Sequence, residues 1–313
     1  MQPSFPDRLA ALVEQRQSQI VLGLDPDPAA LWSSELVSDP VAVGGGHPPG
    51  GPERARLTGM AVAAHCRAVI AAAGPACVAV KLQLACFERL GAPGWEALAD
   101  AVQAGREAGL LVLADGKRGD VPVTARAYAQ ALVGETPGPY GPVAGLGVDA
   151  FTANPLLGRD ALEPLVSAAA EAAAGCFCLV RTSNEGAADV QDLPGPRGPV
   201  HEHLARMVDA LGADSVGRSG LSAVGAVTGA TQPGVLARLR ELMPRAVFLL
   251  PGVGAQGGEV AALGPVFEPH RAAGLVSASR SIVDVHRSGG GKPAAAAAAA
   301  AEELRAQTWA LSS

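Results

Sequence analysis

The residues best suited to chemistry lie together in Asp115-Gly-Lys117-Arg118-Gly-Asp120, which runs on into Val-Pro-Val-Thr124. Four charges within six residues end the apolar run 110–114, in a chain that is only 17% charged. An isolated Asp-x-Lys is usually an exposed ion pair near a helix start. Here other strand-like runs also end in polar residues: Asp25, Lys81, Thr182 with Ser183, Gln256 and Arg280. Residues two apart share a strand face, so Asp115 and Lys117 should point the same way. Opposite charges about 4 Å apart attract by ~4 kcal/mol at an effective dielectric of ~20. A lysine among carboxylates therefore holds its proton. It makes a poor Schiff-base nucleophile but can stabilise a carbanion and then protonate it.

A second group of residues suits a phosphate. The segments 251–259 (PGVGAQGGE) and 277–282 (SASRSI) combine glycines, which let an anion approach backbone N–H groups, with the amide of Gln256 and the guanidinium of Arg280. Gly252, Gly254 and Gly257 also spell GxGxxG, but no second nucleotide-binding half follows them in the chain. A phosphate-gripping loop is the better reading than a dinucleotide site.

The elements that must position these residues alternate. Strands are expected at 20–24, 78–82, 110–114, 148–152, 177–180, 223–227, 247–250 and 274–277. Helices are expected at about 58–73, 94–108, 122–133, 158–174, 200–213, 233–242, 257–263 and 293–310. Such alternation implies parallel strands joined by right-handed crossovers. Eight units predict a (β/α)8 TIM barrel, with a doubly wound open sheet as the alternative. In a barrel the strand ends converge on one mouth, where active sites sit. No linker divides the 313 residues, so one domain is expected over 1–313. It would carry a Gly/Pro-rich insertion at about 38–55 and an Ala-rich C-terminal helix at 293–310. The segment 181–200 reads as a second mobile loop on the same face.

Bulk composition narrows the function classes. Hydrophobic residues make up 49%, ample for a core. The net charge is −6 and no basic cluster is present, which argues against nucleic-acid binding. The five cysteines form no CxxC, so neither a disulfide framework nor a zinc site is indicated, and a cytoplasmic location is expected. The N-terminal residues lack signal-peptide character, and the Ala tract 294–301 runs straight into Glu302, Glu303 and Arg305, so no membrane span is expected. His201 and His203 are two apart near a helix start and would not face each other, so a metal role is not indicated.

In their order along the chain, VLGLDPD, the D-x-K-x-x-D element, VRTSNEG, VGAVTGAT, PGVGAQGG and SASRSI resemble orotidine 5′-phosphate decarboxylases, specifically the longer bacterial form called type 2. The resemblance implies cofactor-free, metal-free loss of CO2 from orotidine 5′-phosphate to give uridine 5′-phosphate (UMP), the last step of de novo UMP synthesis. By the same resemblance, Lys117 protonates C6 of the pyrimidine and Asp115 lies beside the departing carboxylate. Lys81 completes the Lys/Asp array, and Asp25 holds ribose hydroxyls with it. Asp120 and Thr124 reach into the neighbouring subunit's site, which implies a homodimer. Ser183 bonds the pyrimidine edge, while Gln256 and Arg280 grip the phosphate. One departure is Ser-Ala-Ser before Arg280, where a glycine is common in the family.

Three alternatives remain open on the sequence. The first is a metal-dependent sugar-phosphate decarboxylase of the same barrel group, which would place a carboxylate where Lys81 stands. The second is a Schiff-base aldolase using Lys117 or Lys81. The third is a non-catalytic phosphosugar-binding barrel.

Overall fold

A computed structural model describes residues 3–32, 50–230, 233–253 and 257–312. Eight strands form a closed, all-parallel barrel: β1 (Ile20–Leu24), β2 (Ala79–Gln83), β3 (Leu111–Arg118), β4 (Ala150–Ala153), β5 (Gly175–Arg181), β6 (Ser222–Thr228), β7 (Ala246–Pro251) and β8 (Gly274–Ala278). Each strand pairs with the next, and β8 closes on β1 through Ile20 opposite Val276. The open-sheet alternative is thereby excluded.

Alternation along each strand sorts side chains between two cores. Val21, Ala79, Leu111, Leu113, Ala150, Phe177, Val227, Val247, Leu249 and Leu275 belong to an interior cluster. Ile20, Leu22, Val80, Val112, Phe151, Cys176 and Phe248 belong to the layer shared with the surrounding helices. The interior is closed from below by helix α1 (Phe5–Arg16), which the sequence analysis did not anticipate. Its Phe5, Leu9 and Val13 recur every four residues, as one buried helix face requires, and Phe5 meets Phe177 edge-on at 5.9 Å.

The crossover helices are α2 (Gly51–Ala73), α3 (Ala92–Glu107), α4 (Pro122–Leu132), α5 (Arg159–Glu171), α6 (Val200–Gly212) and α7 (Pro233–Leu242), and the Ala-rich α8 (Pro293–Leu311) ends the fold. Proline stands in the first turn of α2, α3, α4 and α8, where its missing N–H costs nothing. Helix α2 is long and apolar enough to cross a membrane by length and composition. It lies instead on the barrel, burying Val62, Cys66, Val69, Ile70 and Ala73 along one stripe against α3 and α8.

Several expected boundaries move. The Gly/Pro-rich segment 38–55 is partly helical, because α2 already starts at Gly51; residues 38–49 lie outside the described residues. The helix expected at 257–263 is a 3-10 segment over Val260–Phe267, interrupted by Pro265. Strand β3 does not stop at Ala114 but continues through the charged residues to Arg118, which pairs with Ala153 of β4.

Candidate active site

That extension builds the site. Register places Lys81 beside Leu113 and Gln83 beside Asp115 on adjacent strands. Lys81, Gln83 and Asp115 share the parity of the interior residues Ala79, Leu111 and Leu113, so all three turn into the barrel. Lys81 Nζ donates to Asp115 Oδ2 at 2.8 Å, and Lys117 Nζ donates to Oδ1 at 2.7 Å. Gln83 Nε2 donates to Oδ2 at 3.2 Å, and Thr152 Oγ1, from the end of β4, donates to Oδ1 at 2.8 Å. Asp115 thus receives four hydrogen bonds, two on each oxygen.

Lys81 and Asp115 are 8% and 6% exposed. Burial alone would push the Asp115 carboxyl up, but the charges of Lys81 and Lys117 and their hydrogen bonds overcome it and hold the group well below the usual carboxylate range. Burial also opposes the Lys81 ammonium; Asp115 and Asp25 outweigh it and raise its pKa. Both groups are therefore charged at neutral pH. Lys117 differs in being at the rim, its side chain 42% exposed.

The local backbone explains the motif. Lys117 adopts φ 48°, a left-handed conformation unusual for a side-chain-bearing residue, and its N–H donates to Thr152 Oγ1 at 2.8 Å. This turn swings the ammonium back over Asp115. The flanking glycines are spatial requirements: a Cβ on Gly116 would meet Leu84 Cδ1 at 2.7 Å, and one on Gly119 would meet the Asn154 carbonyl oxygen at 2.6 Å.

The array forms the floor of a cavity of about 1020 Å³ at the C-terminal mouth. Asp25, Lys81, Asp115, Lys117 and Ser183 line it, as do Thr152 and Gln83. Thr152 and Gln83 were not singled out from the sequence. Gln83 lies two residues from Lys81, and Thr152 is a lone hydroxyl at an apolar strand end, so parity was the available signal. The remaining expected residues stand apart. Asp120, whose Oδ1 accepts from the Val121 N–H at 2.7 Å, and exposed Thr124 open α4 outside the cavity lining. Arg280 is exposed at the start of the short helix Arg280–Val283, also outside that lining. Gln256 lies outside the described residues. Among the described residues no cluster of three His, Cys, Asp or Glu side chains could hold a metal. His201 is buried and bonded to Asp192, whereas His203 lines the cavity.

The sequence model of the "Orotidine 5′-phosphate decarboxylase / HUMPS family" matches residues 18–305. An orotidine 5′-phosphate decarboxylase of Rhodopirellula baltica is 36% identical over 284 residues, covering 91% of this chain and 89% of its own. One from Deinococcus radiodurans is 46% identical over 215 residues, covering 68% and 74%. Among solved structures, a putative orotidine 5′-phosphate decarboxylase from Streptomyces avermitilis superimposes with a TM-score of 0.76 at 29% identity, over 99% of this chain and 96% of that one. A putative counterpart from Toxoplasma gondii gives 0.76 at 28% identity, over 98% and 97%.

Proposed function

The chain belongs to the orotidine 5′-phosphate decarboxylase / HUMPS family, and from that premise we propose how its barrel mouth converts orotidine 5′-phosphate to UMP and CO2. The observation that carries the proposal is the Lys81–Asp115–Lys117 array, buried at Lys81 and Asp115 and open to the cavity at Lys117. The C6–carboxylate bond breaks, its electron pair stays on C6, and the Lys117 ammonium donates a proton to that carbon. Lys117 is suited to this because it is tethered by Asp115 yet reaches the open cavity. Asp115 receives two ammonium groups and two neutral donors, so its main task is to preorganise Lys117 in a charged, fixed position rather than to repel substrate. No cofactor takes part. We read the chain as the longer type 2 form of the enzyme on its Val180–Gly186 motif.

The substrate's remaining groups follow the strand ends. Asp25, whose charge acts on Lys81, suits the ribose hydroxyls. Ser183, whose hydroxyl has no hydrogen-bond partner among the described residues, suits the pyrimidine edge. Arg280, with Gln256, takes the phosphate, and closure over it lets remote binding energy assemble the site. Asp120 and Thr124 serve the site of a second copy. Beside them Val121, Val123, Leu156 and Leu157 are 52%, 83%, 75% and 47% exposed, an apolar surface suited to a homodimer contact. All five cysteines are free thiols, which suits a cytoplasmic enzyme.

The test is direct. Purified, EDTA-treated protein should extinguish the absorbance of orotidine 5′-phosphate and release stoichiometric UMP. Turnover only of a sugar phosphate, or only with added divalent metal, would overturn the assignment in favour of the metal-dependent relatives.

A further inference from the structure

The connection after β5 carries Ser183 into the cavity, and a set of interactions at its base is not explained by the array chemistry. Arg181, 6% exposed at the end of β5, directs all three guanidinium nitrogens into this loop. Nε and Nη2 grip the two oxygens of Asp192 at 2.8 and 2.9 Å, and Nη1 donates to the Thr182 carbonyl at 2.6 Å. Asp192 also meets His201 Nδ1, from α6, at 3.1 Å, while the same nitrogen lies 2.9 Å from the Gln191 carbonyl oxygen. A carbonyl only accepts, so Nδ1 carries a proton shared between the two oxygens. The Gln191 side chain then accepts the Thr182 N–H at 2.8 Å. The two ends of the segment 181–192 are thereby stapled, one residue before Ser183 and at Gln191–Asp192.

The opposite side of Ser183 is equally constrained. Gly229, just past β6, donates its N–H to the Arg181 carbonyl at 2.7 Å. A Cβ placed on Gly229 would lie 2.8 Å from Ser183 Cα and 3.0 Å from its backbone nitrogen. Gly229 thus lets the strand end lie close against the Ser183 backbone, next to the stapled Arg181 and Thr182, and Ser183 lines the cavity.

We propose that Asp192, gripped by Arg181 and His201, is a positioning residue that sets where the Ser183 hydroxyl meets the polar edge of the pyrimidine ring. The inference rests on the reading that Ser183 binds that edge. Asp192 touches no substrate; its effect on the reaction passes through Ser183.

A double-mutant cycle tests this, with kcat and KM for orotidine 5′-phosphate measured on Asp192→Asn, Ser183→Ala and the combination, and unfolding midpoints recorded alongside. Asp192→Asn should raise KM roughly tenfold, as displaced contacts do, and should add less than about twofold once Ser183 is alanine, because coupled residues are not additive. Equal factors in both backgrounds would overturn the proposal and leave Asp192 a structural anchor. A Ser183→Ala enzyme with wild-type KM would overturn the Ser183 reading itself, a distinguishable result. Should Asp192→Asn fail to fold, Arg181→Lys keeps a positive charge beside Asp192 but removes the two-point grip, and the same coupling to Ser183 is expected.

Discussion

The mouth of the barrel has two halves that are built differently. The Lys81–Asp115–Lys117 half stands on β2 and β3, adjacent strands locked in register, and every oxygen of its central carboxylate is occupied within one chain. The Asp120–Thr124–Arg280 half stands on helix starts, is more exposed, and does not line the cavity. The difference teaches that the strands of one chain complete the Lys/Asp array, whereas on the proposed reading the remainder of the substrate is bound by groups from a second copy and from loops. Substitutions in the first half should therefore damage chemistry and stability within one chain, and those in the second half should damage substrate affinity or the completion of a site by the other copy.

The strongest test of that division is Lys117→Ala. It should lower kcat by roughly 10²- to 10⁴-fold, the range for a general acid, while a non-reactive UMP analogue still binds in a titration. Loss of binding with normal turnover of bound substrate would reverse the roles of the two halves. Next comes Asp115→Asn, which leaves the Lys81 ammonium buried without its main counter-charge and should destabilise the fold by about 3–5 kcal/mol in denaturant unfolding. The pH dependence has a defined sign. Asp115 has a lowered folded-state pKa, so its stabilisation is present above the ordinary 3.8 and is lost as pH falls through the lower folded value. Lys81 has a raised one, so its contribution is present below 10.5 and is lost as pH rises through the higher folded value. The unfolding midpoint of the wild type should carry this acid-side loss, and the Asp115→Asn enzyme should lack it.

A smaller effect separates the halves by chain. Co-expressed Lys117→Ala and Asp120→Ala chains, each inactive alone, should recover roughly a quarter of wild-type activity, because half of randomly paired symmetric dimers regain one intact site of two. No recovery would place Asp120 in its own chain's site and dissolve the distinction.

The sequence made the first half largely legible; for the second it gave Arg280 a phosphate role from its side-chain chemistry and Asp120 and Thr124 a role only through resemblance. Eight apolar runs bounded by polar ends predicted the eight strands, and all eight overlap the observed ones within a few residues. Charged residues read as a strand terminus misplaced the end of β3, because buried Asp115 is satisfied by Lys81, Lys117, Gln83 and Thr152 rather than by solvent. Helix α1 was missed: its Phe5, Leu9, Val13 spacing is short, and that it plugs the barrel depends on packing across the whole chain. Thr152 and Gln83 carry no motif; only register reveals that they face Asp115. The staple from Arg181 to Asp192 and His201 joins residues whose mutual distance depends on a loop path that no local pattern encodes.

The smallest expected effect is none at all. Prolonged EDTA treatment should leave kcat and KM unchanged, and the reason lies in the carboxylate that a metal would need. A hard divalent ion takes oxygen ligands, so a site for one needs free carboxylate oxygens. Here Lys81 and Gln83 occupy one oxygen of Asp115, and Lys117 and Thr152 occupy the other. A cation would have to displace two ammonium groups held at 2.7–2.8 Å and then share the pocket with them, against their repulsion. The charge that the chemistry requires is already supplied covalently by the chain. Activity abolished by chelation and restored by a divalent ion would overturn this metal-free assignment, because the array as it stands leaves no Asp115 oxygen open to a cation.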